Sequence, residues 1–494
     1  MSETDNKWND KFLDAKRQNM DRDSLADEAV EAIFAEAGLA QVREMARVDE
    51  SGEDTPELEG EAVDAAVKEA GKAKIKEVEE PDAAPEVDHA SEAYQQVDAV
   101  FRTGGIRKVN EVMRSLTRNE QPVPEELPDK LQRFLEETAH LPAWHDPAKI
   151  KAGQKLFSRF SPEIVAILFC KSLPECYCAE HAARVLDSTK LLTKFVHRRI
   201  VETAQFVLDV MAPGGLDLDK AEARGLRSAQ KVRLLHASIR HLLLQEGWDS
   251  ATCGKPINQE DLAGTLLSFS YLTLDGLKRL DNDFTDKEIS AYMHAWNVVG
   301  YIMGVDEDML VDTMEEAEAF WSRMAERQFR PNEYGQRLSR ALIDYLEQSI
   351  PGTVFDDFAC AMVRFLVDEK FADMTGVPNT LVIRMLRRNV IAGPVKLVLS
   401  KYDDMGDESD ILKKIFRIFN RKVLEGLVNS EKAGKEVYFR IPPSLEKHEG
   451  WRELAESGTH TISEKGTIER TAFGPVNLKL GSWRVSVKKM RQED

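Results

Sequence analysis

A chain of 494 residues, 42% apolar and 31% charged, is long enough for roughly three domains or for one large helical body. The net charge of −19 is concentrated in residues 1–95, which hold 27 acidic against 11 basic side chains. The remainder is nearly neutral, which excludes the concentrated basic footprint of a nucleic-acid-binding body and leaves no general attraction to anionic membrane surfaces.

No apolar run approaches the roughly 18 residues that span a bilayer. The opening "MSETDNKWND" is polar and acidic, without the apolar region of an export signal. The five cysteines (Cys170, Cys176, Cys178, Cys253 and Cys360) suggest no disulfide framework, and a cytoplasmic location is expected.

Residues 1–95 read as an acidic, largely disordered segment with one helical repeat unit. Within it, 49–92 is rich in Ala, Glu and Pro, contains no aromatic residue, and cannot bury enough apolar surface to offset its ordering entropy. "FAEAGLAQVREM" (34–45) and "FRTGGIRKVNEV" (101–112) share one pattern, so the first could dock where the second does, as a cover. Residues 96–435 read as a helical domain, with breaks expected at 141–147, 161–162, 212–218, 254–258, 281–286, 331–335, 351–357, 375–379 and 403–409. Residues 436–494 alternate in "EVYFRI", "THTISEKGTIERTAF" and "SWRVSVKKM", which predicts a small β-rich C-terminal appendage. The body is therefore expected to be all-α.

Familiar enzyme signatures are missing: there is no P-loop, no G-x-G-x-x-G after a strand, no G-x-S-x-G and no H-E-x-x-H. "CYC" (176–178) has no second half at zinc spacing and reads as buried sulfur. Two helical stretches carry the more specific signals. In "LLTKFVHRRIVETAQFVLDVM" (191–211), Arg199 and Thr203 form an i,i+4 pair at the edge of a broad apolar face. In "KVRLLHASIRH" (231–241), His236 sits within the apolar stripe of Val232, Leu235, Ile239 and Leu242, with Arg233 and Arg240 one turn either side. Taken alone, each helix reads equally as ordinary core with a flanking arginine.

"RRIVET" (198–203), "PGGL" (213–216), "VRLLHASIR" (232–240), "GKPINQEDLAGTLLSFSY" (254–271) and "YMHAWNVVGYIMGVDEDML" (292–310) follow one another in order. The set resembles the oxygenase family of MpaB and the rubber oxygenases (latex clearing proteins), over roughly 97–400. The resemblance implies a globin-like multi-helix core with extra helices, and a non-covalent haem b held through iron by His236. It also implies Arg199 and Thr203 as the family's Arg-x-x-x-Thr pair in the catalytic pocket. The implied activity is O2-dependent oxidation or cleavage of a carbon–carbon double bond in an isoprenoid or other hydrophobic, unsaturated lipid.

Side-chain chemistry adds that Arg240, with Arg233, could pair with haem propionates, since guanidinium matches carboxylate geometry. Neutral imidazole suits haem iron. The resemblance further implies a glutamate base, for which Glu180 and Glu175 are the candidates, and in some members a lysine as distal iron ligand, for which no lysine here is assignable. His241, about 140° further round its helix, should not reach the same iron. "GKPINQEDLAGTLLSFSY" reads as a helix started at Asn258, with Asp261 near its N-terminus and Leu262, Leu266, Leu267 and Phe269 as core, and His294 reads as a packing residue. Two other readings remain: a haem- or lipid-binding protein without turnover, and a helical interaction protein without cofactor.

Overall fold

The computed structural model describes residues 7–35, 105–188, 196–349, 358–379, 477–480 and 483–486. Among them the fold is helical apart from a two-stranded antiparallel hairpin, β1 (Asn477–Leu480) with β2 (Trp483–Ser486), in which Asn477 faces Ser486 and Leu480 faces Trp483. Both strands fall in the expected C-terminal appendage, β2 within "SWRVSVKKM"; the appendage's other residues lie outside the described residues.

The N-terminal segment starts with α1 (Asp10–Gln18), capped by the Asn9 side chain accepting from Phe12 N at 3.0 Å. A single 3-10 turn, Asp21–Asp23, leads into α2 (24–35). These residues pack into the helical body. Trp8 and Leu13 belong to the main core, and Ala26, Ala29, Val30 and Ile33 of α2 share a second cluster with α3 (Gly105–Ser115), α4 (Asp129–Glu137) and Leu234. A domain boundary at residue 95 thus leaves out residues 7–35, whose apolar side chains the body buries. The rest of the segment expected to be disordered, 36–95, lies outside the described residues, as does most of the 34–45 repeat.

The main core is built on α5 (Pro147–Ile167) and α13 (Asp286–Ile302). In between come α6 (Leu173–Cys176), α7 (Glu180–Ser188), α8 (Val196–Met211), α9 (Gly225–Gln245), α10 (Ser250–Cys253), α11 (Gln259–Phe269) and α12 (Tyr271–Arg279). Then follow α14 (Met314–Gln328), α15 (Glu333–Ser349), α16 (Phe358–Leu366) and α17 (Glu369–Met374).

Local signals explain these starts. Asp146 caps α5 with Pro147 at its first position, Thr285 and Glu288 form a capping box on α13, and Asn258 caps α11 by accepting from Asp261 N at 3.1 Å. The break expected at 161–162 is a kink instead. α5 bends at Phe160 and continues through Pro162, while Ser161 Oγ donates to Ser158 O at 3.3 Å, occupying a carbonyl beside the bend. Beyond it, Leu168–Ser172 is a π-helical turn.

Candidate functional site

α8 and α9 form a hairpin whose loop is pinned by Asn119. Its Nδ2 donates to Gly215 O (3.1 Å) and Asp217 O (3.0 Å), and its Oδ1 accepts from Leu226 N (3.0 Å) at the start of α9. Gln154 of α5 holds the other side, donating to Val210 O and accepting from Gly214 N. Near the loop, Ser228 Oγ donates to Asp209, which also accepts from Gln205 at 2.8 Å. Burial pushes the Asp209 carboxyl up and the neighbouring Lys231 amine down to about 8.

Counting out from the Asp209–Ser228 contact at about 1.5 Å per residue, His236 lies about 12 Å along α9 and Thr203 about 9 Å along α8. A turn of about 100° per residue places both on the same flank of the hairpin. Thr203 and His236 are half-buried, and His236 Nδ1 is out of contact with solvent. Arg199 is on α8 one turn before Thr203; its side chain lies outside the described residues. The imidazole is flanked along α9 by Val232, Leu235 and Ile239, and Leu235, Ile239 and Leu242 form an apolar cluster with Val185 of α7. His241 stacks on Phe34 at 4.9 Å, away from this flank.

The arginines do not have the partners expected of them. Arg233 Nε donates to Asp23 Oδ1 at 2.5 Å, and its other nitrogens reach Ile302 O and Arg22 O. Arg240 donates to Asp23 Oδ2 at 2.7 Å, to Asp27, and to the carbonyls of Pro256 and Ile257. Both guanidiniums are buried and already matched by carboxylates, so the assignment of Arg240 to cofactor binding does not fit this geometry. Asp23 and Asp27 escaped the sequence reading because they fall in the acidic segment; the available signal was an acidic i,i+4 pair on a helix with apolar Ala26, Ala29 and Val30.

Of the two candidate bases, Glu175 is held by Lys171 at 2.6 Å, and the two side chains are almost wholly buried. Burial raises the Glu175 carboxyl while the Lys171 charge opposes the rise. Glu180 opens α7, the helix that packs Val185 against α9, and is half-buried. His294 does what a packing histidine does: its Nε2 accepts from Asp146 N at 2.9 Å, and Trp144 meets it edge-on. Cys170, Cys176 and Cys178 are thiols pushed up by burial, and no group of three or more His, Cys, Asp or Glu side chains suited to a metal ion exists among the described residues.

The described residues form a helical body in which His236 stands in the apolar stripe of α9, on a two-helix hairpin. A solved latex clearing protein in its closed state superposes with a TM-score of 0.57 over 70% of this chain and 91% of that one, at 21% identity, a likeness of fold. Residues 167–392 match the family described as ER-bound oxygenase mpaB/B'/Rubber oxygenase, catalytic domain. It is also 25% identical over 316 residues to the rubber oxygenase of Streptomyces sp. (strain K30), covering 61% of this chain and 74% of that protein. Thr203, His236 and both candidate glutamates fall within the matched span. No helix among the described residues is long and apolar enough to cross a membrane.

Proposed function

We propose that this protein is a haem b-dependent oxygenase that uses O2 to cleave a carbon–carbon double bond of an isoprenoid or unsaturated lipid. The observation that carries the reading is His236, half-buried in the apolar stripe of α9 and level with Thr203 inside the oxygenase-family span. The donor set fits: porphyrin-held iron needs one imidazole from the protein, and a lone histidine without a cluster of further ligands is what the described residues offer here. The propionate partners do not fit as expected, since Arg233 and Arg240 are already taken by Asp23 and Asp27.

When bound, haem iron supplies the activation of O2. The chain's own residues do the rest: His236 would hold the iron, and Leu235 and Ile239 exclude water beside it. The Thr203 hydroxyl is a polar group at the border of an apolar surface, suited to orienting a substrate, and Glu180 is the carboxylate on the adjoining α7 suited to moving a proton. Cleavage of one double bond into two carbonyls places both atoms of one O2 in the products, so no external reductant is required.

The test is the absorption spectrum of the purified protein with a pyridine haemochrome assay. Near one haem b per chain, lost in His236→Ala while the helical content is retained, is the expected result; haem retained with an unchanged Soret band in that variant overturns the assignment. Oxygen uptake with an unsaturated isoprenoid then separates turnover from binding alone.

A further inference from the structure

We infer that Asp23 is a positioning residue for His236, a buried carboxylate that pairs with both guanidiniums flanking the imidazole and ties the N-terminal segment to the ligand helix. The inference deepens the haem reading above and rests on it.

Arg233 is three residues before His236 and Arg240 four after it, so the two guanidiniums bracket the imidazole along α9. One carboxylate serves both: Asp23, 1% exposed, accepts from Arg233 at 2.5 Å through one oxygen and from Arg240 at 2.7 Å through the other. Asp27 touches Arg240 alone. The approach is built into the backbone as well. Gly304, at φ +87°, leaves the space, since a Cβ there would lie 2.8 Å from Arg233 Nε and 3.0 Å from Asp23 Oδ1.

Two buried cations without their shared anion would be costly, and their positive field would fall on the adjacent ligand. Reduction of an iron held by His236 adds an electron, so uncompensated positive charge beside it favours the reduced state. Asp23 thus sets both the placement of this stretch of α9 and the electrostatic potential felt at its histidine, without touching substrate or iron.

The experiment is a spectroelectrochemical titration of the haem-loaded full chain, alongside its thermal melt. Asp23→Asn is expected to shift the midpoint potential to more positive values, Asp23→Glu to stay near the parent, and Asp23→Asn combined with Arg240→Gln to return most of the way. If the single variant fails to fold, the charge-balanced double variant is expected to fold with a near-parent potential. A folded Asp23→Asn protein with unchanged potential, or a double variant as far displaced as the single one, overturns the inference while leaving the haem reading intact. A parent chain that takes up no haem overturns the haem reading itself and the inference with it.

Discussion

Lys171 Nζ lies 2.6 Å from Glu175 Oε1, one turn away, where neither side chain has appreciable contact with solvent. Asp275 approaches the same ammonium at 3.0 Å, and Leu366 O accepts from it at 3.2 Å. Lys171 lies on the π-helical turn after α5, where a widened turn carries its own local cost, and Glu175 lies on α6. Glu175→Ala is expected to lower stability by roughly 3 kcal/mol or more, because a buried ammonium loses its closest counter-charge. Removing both charges, as Lys171→Met with Glu175→Leu, is expected to cost far less. Urea unfolding of the three proteins measures the difference, and equal losses would show that charge burial is not what the pair controls.

Acidity acts on the Asp27 contact. Burial, aided by the neighbouring Asp23 charge and opposed by Arg240 and Lys255, pushes the Asp27 carboxyl from 3.8 up to about 6. The folded chain therefore binds this proton more tightly than the unfolded one. The stabilisation from this group is fully present below pH about 3.8 and lost as pH rises through about 6. Asp27→Asn is expected to flatten the stability profile between pH 4 and 6, measured by melting temperature in a buffer series; an unaltered slope would mean the carboxyl is not held as the geometry implies.

Trp8 reports whether the N-terminal segment is part of the domain in solution. It is 2% exposed and stacks on Phe320 at 4.4 Å, close to the ion pairs of Arg327 with Asp10 and Asp14. Trp8→Ala is expected to cost about 3–5 kcal/mol, the usual range for emptying a buried aromatic site. A change within about 0.5 kcal/mol, as at an ordinary surface position, would show that the segment is dispensable.

α5 and α13 meet closely at Gly153. A Cβ there would lie 2.5 Å from Ala291 O and 3.0 Å from Ala295 Cβ. Gly153→Ala should gain about 1 kcal/mol in helix propensity yet lose more to overpacking, for a net loss of about 1–2 kcal/mol. Chemical denaturation decides it, since a stabilised variant would mean the helices separate freely.

Much of the scaffold was legible because its signals are local. Asn258 starts α11, the Gly-rich turn after Met211 closes the α8–α9 hairpin, and His236 stands in an apolar stripe that three or four residues of spacing reveal. Pro162 was legible as an interruption, but whether a helix ends or bends there depends on what the freed backbone groups find nearby, and Ser161 decided for a bend. Lys171 and Glu175 were visible as an i,i+4 pair, whereas their burial was not, because nothing within a turn records what packs over it.

The sequence by itself determined the helical class, the order of the helical motifs and the helix face on which His236 stands, since periodicity and capping are set by neighbours along the chain. The tertiary structure decided which charges meet. Arg233 and Arg240 find Asp23 across 210 and 217 residues of sequence, making an acidic segment that reads as a tail into part of the packed body. Helical spacing shows where a guanidinium emerges, but only the packed chain brings a carboxylate to it, because a buried cation is stable only where the fold supplies its counter-charge.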